Sequence, residues 1–461
     1  MDTGNIKNKR LLIAVMFSFL IGLSAYAQLE YSPYYTVTIT PETKWVNTRG
    51  EVRGTGITNI CDGVWGCEIN NGWGFYSVDG TKIFDYIWKP AESEYPEFHD
   101  GVVPAFKKDD DYNTRCVYLL YKDGSVKKLD KKYSACTNFC DGVALAKINY
   151  NTYVFIDPQG KEVYPGVTAF PMTNSFFSNQ VQSLCDGRRA FYDDKPGKWG
   201  FLDENGKIVV EPKYTFVRNF NDGRALVAEG YGNAYFIDKA GKKAFEPQWD
   251  LDISMSDISD YNSGYCTVWQ DGYAIYYDTS GNEVKAIKFG KRFVDGYAWF
   301  IPMKGKDDHE NYYIPMDSQF QPVENAYHVP TDAYNGFVNG YMEANNGRIV
   351  RPDGGIQIYG AVGIIPNYNL DPLILYDYLG KFNKYGYCRA TLKIGAHRYT
   401  GFINTKGEMV VVYEWDKREV TEVTTRFLKP GIEGPAKLKE DYEVATIPIQ
   451  VCSQTPLGPK E

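Results

Sequence analysis

The sequence predicts an all-β protein: tandem repeats of antiparallel hairpins, three to four strands each, set in an open curved array, with a closed β-propeller as the alternative. Three observations predict it. Aromatic residues form 16% of the 461 residues, with 38 Tyr, 25 Phe and 9 Trp, beside 44 Gly; aromatics suit a pleated surface and Gly suits tight turns. Two turn signatures alternate along the chain. No stretch of about 10–12 residues carries a capped helical period.

The N-terminus is set apart. Lys7, Lys9 and Arg10 precede the apolar run Leu11 to Leu23, and Ser24-Ala25-Tyr26-Ala27 places small residues before a cut after Ala27. This order predicts a secretory signal peptide over residues 1–27. The 13 apolar residues at about 1.5 Å each are too short for a ~30 Å hydrocarbon core, so no transmembrane segment is expected after cleavage. An exported protein of periplasm, cell surface or extracellular space is the expectation. The formal net charge of −8 argues against nucleic acid as a partner, because phosphate binding needs an excess of Lys and Arg.

The first repeated signature is an aromatic or Cys, then Asp-Gly, then a short apolar strand. It reads Cys61-Asp62-Gly63-Val64, Phe98-His99-Asp100-Gly101, Phe139-Cys140-Asp141-Gly142, Cys185-Asp186-Gly187, Phe220-Asn221-Asp222-Gly223 and Phe293-Val294-Asp295-Gly296. Weaker copies end at Gly264, Gly340 and Gly386. The nine glycines stand 32 to 46 residues apart. The second signature is a strand closed by Asp, two variable residues and Gly, as in Phe201-Leu202-Asp203-Glu204-Asn205-Gly206 and Phe236-Ile237-Asp238-Lys239-Ala240-Gly241. That pattern predicts a type I turn with a left-handed exit, joining two strands. Pro212 and Pro247 then end the third strand, since Pro cannot donate to a ladder. A three-stranded unit cannot cover both its faces, so neighbouring units must stack. Residues 28–425 are thus read as about nine repeats. Residues 426–461 form a C-terminal linker, marked by Pro430-Gly431 and Gly434-Pro435, with Tyr442 to Val451 as a candidate closing strand.

The stretch Gly197-Lys198-Trp199-Gly200-Phe201 through Pro212-Lys213-Tyr214 resembles the bacterial WG (KWG) repeat. Asn71-Gly72-Trp73-Gly74-Phe75 looks like a second copy, and the other units keep the turns but lose Trp-Gly. The resemblance implies a β-rich exported or surface protein and brings no catalytic residues with it.

The chemistry-bearing residues are mostly absorbed by the repeat. His99, His309, His328 and His397 fall in different units, at no ligand spacing, so no metal and no cofactor is expected. Cys61, Cys140 and Cys185 share one repeat slot with His99, Asn221 and Val294, which reads as packing. Cys61 with Cys67, or Cys136 with Cys140, would bridge if their Cβ atoms approach. The turn Asp residues are read as caps of backbone N–H groups, and Asp109-Asp110-Asp111 as a solvated loop. Trp73 and Trp199, at equivalent strand positions, are read as packing. No catalytic residue is assigned.

Ligand contact is therefore assigned to what does not repeat. The insertions Gly166 to Leu184, Pro302 to Asn311 and Ala361 to Gly380 interrupt the period, and such loops tend to carry function. Phe176, Phe177, Tyr368 and Tyr376 are the expected ligand-binding tips. The function expected is non-catalytic binding of a protein or glycan. A carbohydrate-active hydrolase using two carboxylates, and an architectural envelope protein, are the alternatives.

Overall fold

The computed structural model describes residues 38–46, 56–92, 95–111, 115–149, 152–171, 182–230, 234–249, 253–305, 308–344, 348–358, 375–394, 397–406, 408–415 and 444–446. Among these, the regular elements are strands, apart from two single 3-10 turns, Met255–Asp257 and Thr331–Ala333. The sheets are small and open, with three to six strands each, and none closes into a barrel. Nine units follow one another, numbered here by their turn glycines 63, 101, 142, 187, 223, 264, 296, 340 and 386.

The fourth unit shows the plan. Leu184–Cys185, Arg188–Asp193, Lys198–Asp203 and Ile208–Tyr214 lie side by side in that order, antiparallel throughout. The first connection is the Asp-Gly turn. Asp186 and Gly187 both have positive φ, 52° and 72°, the signature of a type I′ hairpin turn. The same pair of positive φ values recurs at residues 62–63, 100–101, 141–142, 222–223, 263–264, 295–296 and 339–340. The second connection is the expected type I turn: Gly206 N–H donates to Asp203 O at 3.0 Å, while Asp203 Oδ1 accepts from Asn205 N–H and Lys207 N–H.

The Trp-Gly pair has a steric cause. The ladder between Lys198–Asp203 and Ile208–Tyr214 shifts register after Trp199, and the bulged strand leans onto Gly200. A Cβ at Gly200 would stand 2.5 Å from Val210 O, and at Gly401, the equivalent position of the ninth unit, 1.9 Å from Val411 O. Trp199 itself is buried, edge-on to Tyr192.

The apolar cores lie between units. Trp199, Phe201 and Tyr214 of the fourth unit pack with Val217, Phe220 and Ile237 of the fifth. Phe236 and Trp249 of the fifth meet Tyr261 and Tyr277 of the sixth. The same arrangement joins the first unit to the second, the second to the third and the third to the fourth. It continues from sixth to seventh and from seventh to eighth. The expected stacking of half-covered sheets is thus realised interface by interface.

The curvature of the array brings its two ends together. Ile60, Trp65 and Tyr76 of the first unit share a core with Phe402, Val411 and Tyr413 of the ninth. Trp65, 1% exposed, stacks on Tyr76 and tilts against Phe402 and Tyr413. Each sheet remains open, but the array returns on itself as the ring given above as the alternative. A count of nine exceeds the usual four to eight blades, which is why the spacing alone leaned toward an open array. Thr38–Val46 adds to the ninth unit's sheet, parallel to Glu408–Trp415 and antiparallel to Val444–Thr446. That last strand falls within the segment expected to close the chain.

The eight described cysteines are free thiols. Neither the Cys61–Cys67 nor the Cys136–Cys140 bridge forms. Cys67 and Cys136 instead sit in separate apolar cores, where burial pushes the Cys67 thiol up to about 12.

Candidate ligand-binding groove

Side chains of the first six turns bind backbone N–H groups of the following unit. Gly101 N–H donates to Asp62 Oδ2 (2.6 Å), Gly142 N–H to Asp100 Oδ2 (2.9 Å) and Leu184 N–H to Asp141 Oδ2 (2.8 Å). Gly223 N–H donates to Asp186 Oδ2, Gly264 N–H to Asp222 Oδ2 and Gly296 N–H to Ser263 Oγ. The turns form a belt, and Tyr385 in the ninth unit's turn reaches over the first unit to His99 of the second, its hydroxyl 2.9 Å from Nδ1. The turn Asp residues do cap N–H groups, as the sequence suggested, but the capped groups belong largely to the following unit.

The segments before the turns carry two registered positions. The nearer to the turn holds Asn59, Glu97, Asn138, Ser183, Asn219, Asp260, Arg292, Gly336 and Lys381 in unit order. The preceding position holds Thr58, Thr137 and Ser259 in the first, third and sixth units. Their hydroxyls accept backbone N–H groups of Gly66, Leu145 and Thr267 at 2.8–3.0 Å. The fifth and seventh units place Arg218 and Lys291 there instead.

Those departures frame a groove of about 330 Å³ running along units five to eight, lined by Arg218, Asp260, Trp269, Lys291, Arg292 and Tyr334 among others. Arg218 is nearly buried and is held by Ile258 O (2.6 Å), Met255 O (2.5 Å) and Asp260 Oδ1 (3.3 Å). Lys291 Nζ stands 5.0 Å over the Tyr313 ring and 5.2 Å over that of Tyr334, a cation–π arrangement. Trp269 Nε1–H donates to Gly290 O at 3.0 Å, which fixes the indole. Arg292 is exposed and makes no ion pair among the described residues. Burial pushes the Asp260 carboxyl above the usual carboxylate range, and Arg218 and Arg292 oppose the shift without cancelling it. The groove thus offers two cations, Lys291 and Arg292, beside the Arg218–Asp260 pair and two aromatic faces. Across Gly336, where the register position has no side chain, a second cavity of about 330 Å³ opens onto Tyr341, Glu343, Lys381 and Phe382.

Phe176, Phe177 and Tyr368 lie outside the described residues. Tyr376 lies in the strand Leu375–Leu379, opposite Leu392, not in a loop. Within the described part of the Pro302 to Asn311 insertion, Met303 pairs with His309 and Lys304 binds Glu310. His328 stacks on Tyr312, and His309 meets Phe289. The groove was missed because its residues sit in repeat register; the signal available was Arg and Lys at positions that elsewhere hold Thr, Ser or Asn.

Residues 199–231 match the family model described as WG containing repeat. The chain carries a WG repeat. The matched stretch runs from the Trp199-Gly200 strand of the fourth unit through the Asp222-Gly223 turn into the fifth, so a WG repeat spans an interface between units. No curated protein matches the chain. Among solved structures, an eukaryotic initiation factor is similar at 10% identity and a TM-score of 0.38, over 80% of this chain and 90% of that one. BamB from Moraxella catarrhalis is similar at 12% identity and 0.29, over 66% and 98%. Porphyromonas gingivalis dipeptidyl peptidase 4 is similar at 11% identity and 0.32, over 82% and 62%.

Proposed function

We propose that this WG-repeat scaffold is an exported, non-catalytic binding protein whose ligand is an anionic glycan, seated in the groove of units five to eight. The observation that carries this reading is the replacement of a hydroxyl and an amide register residue by Lys291 and Arg292 beside Trp269 and Tyr334. Cations recognise carboxylate or sulfate groups, and the flat indole and phenol faces suit the apolar side of a sugar ring. Phe176, Phe177, Tyr368 and Tyr376, on the non-repeating insertions, are proposed as further ligand contacts. Hydrolysis is the weaker reading, because the groove lining holds a single carboxylate, Asp260, committed to Arg218, whereas glycoside hydrolysis takes two.

The test is a glycan array bearing uronic-acid, sulfated and neutral oligosaccharides, probed with the full chain. Retention of acidic glycans by the native chain and loss of that retention in Arg292→Glu support the proposal. Binding of neutral glycans alone, or equal retention by Arg292→Glu, overturns it.

A further inference from the structure

We propose that Cys61, Glu97 and His99 form a binding site for a divalent ion of the zinc class where the ninth, first and second units meet. The groove lies in other units, so this site stands or falls independently of the ligand reading above.

The geometry is set by the repeat. Cys61 and His99 hold the same slot, immediately before the turn Asp, in consecutive units. Glu97 stands two residues before His99 on an extended segment, so the two side chains share a face. The sulfur of Cys61, a carboxylate oxygen of Glu97 and a ring nitrogen of His99 all lie within 4.8 Å of one another. His99 Nε2 and Glu97 Oε2 are 3.5 Å apart. Two ligand atoms about 2.1 Å from a zinc ion at the tetrahedral angle are about 3.4 Å apart. The imidazole and carboxylate therefore already stand at coordination spacing, and a small rotation brings in the sulfur.

The surroundings suit the same role. His99 Nδ1 is 2.9 Å from the Tyr385 hydroxyl, and the two rings are stacked at 5.9 Å. With Nδ1–H donating to that oxygen, Nε2 presents its lone pair to the cluster, the arrangement that orients metal-ligating imidazoles. Asn383 Nδ2 stands 3.7 Å from the Cys61 sulfur, so the ninth unit also touches the cluster. Cys61 is 4% exposed, while the Glu97 side chain is 29% exposed, leaving an open side for a fourth ligand such as water. One soft, one borderline and one hard donor in a three-ligand set fit zinc better than calcium or magnesium, which take oxygen donors. Since the ligands and their supports come from three units, the ion would tie the ring where its ends meet.

The experiment is a titration of chelator-treated full chain with Co²⁺, followed by displacement with Zn²⁺. One equivalent should bind, with the visible bands of a tetrahedral ion and a thiolate-to-cobalt charge-transfer band. Zinc should remove both signals and raise the thermal midpoint. Cys61→Ser should lose the charge-transfer band, and Glu97→Gln should weaken uptake. Tyr385→Phe should weaken affinity ~10–100-fold at unchanged stoichiometry. Cys140→Ser should change nothing. Circular dichroism identifies any variant that fails to fold, and the native-chain titration needs no variant. Absence of stoichiometric uptake by the folded native chain overturns the proposal, as does a charge-transfer band that persists in folded Cys61→Ser.

Discussion

Asn383 Nδ2 donates to the carbonyl oxygen of Ile60 at 2.7 Å, joining residues 323 positions apart. The bond reverses the polarity used earlier in the belt. Between the earlier units an acceptor side chain takes an N–H of the following unit. At the last two steps Asn339 and Asn383 donate to carbonyls of Phe382 and Ile60. An amide side chain can do this, whereas an ionised Asp has no donor. The first unit, lacking a preceding turn in sequence, receives its link from the ninth.

That reversal makes Asn383→Asp a selective test. The carboxylate keeps the Oδ1 contacts to Tyr385 N–H and Tyr387 N–H but turns an acceptor toward Ile60 O. A loss of about 1–3 kcal/mol is expected, measured by denaturant unfolding. The same change at exposed Asn205 should cost under about 0.5 kcal/mol.

The Trp-Gly motif gives a second prediction. Gly200→Ala forces a methyl toward Val210 O and should cost about 1–3 kcal/mol, as overpacking does. Gly223→Val fails for a different reason: open space surrounds it, but its φ is +76°, where a β-branched residue is strained. It should cost more than ~1 kcal/mol, against under about half a kcal/mol for Glu204→Val. Both are read from chemical denaturation midpoints.

Groove electrostatics give a third. Burial raises the Asp260 acid, so it stays protonated to a higher pH than a free Asp. As pH falls through that raised value the groove loses its negative charge, and affinity for an acidic oligosaccharide should rise; as pH climbs past it, the gain is lost. Asp260→Asn should bind more tightly at neutral pH and flatten the profile. A profile unchanged by Asp260→Asn would remove this carboxyl from the account. Calorimetric titration with a uronic-acid oligosaccharide reads both effects.

Export gives a fourth. Intact-mass measurement of the secreted chain should place its first residue at Gln28. Recovery of residues 1–27 on the exported protein would remove the signal-peptide assignment.

Much of the fold was legible because turns are local chemistry. Asp-Gly and Asp-x-x-Gly specify backbone conformations that few other residue pairs adopt, so units and hairpins could be read directly. Closure was not legible, since it rests on the contact of Ile60 and Trp65 with Phe402 and Tyr413, which no local pattern encodes. The groove and the Cys61–Glu97–His99 cluster were hidden by the repeat itself. A residue in register reads as scaffold in one dimension, yet stacking the registers brings Cys61 beside Glu97 and His99.

The ring is tested most directly by hydrogen exchange of the native chain, comparing strands Val64–Ile69 and His397–Asn404 with strand Ala225–Ala228 at the middle of the array. Repeat arrays with free ends fray from those ends. A closed ring predicts protection in the first and ninth units within about tenfold of that in the fifth, equivalent to about 1.4 kcal/mol. Progressively faster exchange toward both ends, with the fifth unit the most protected, would contradict closure.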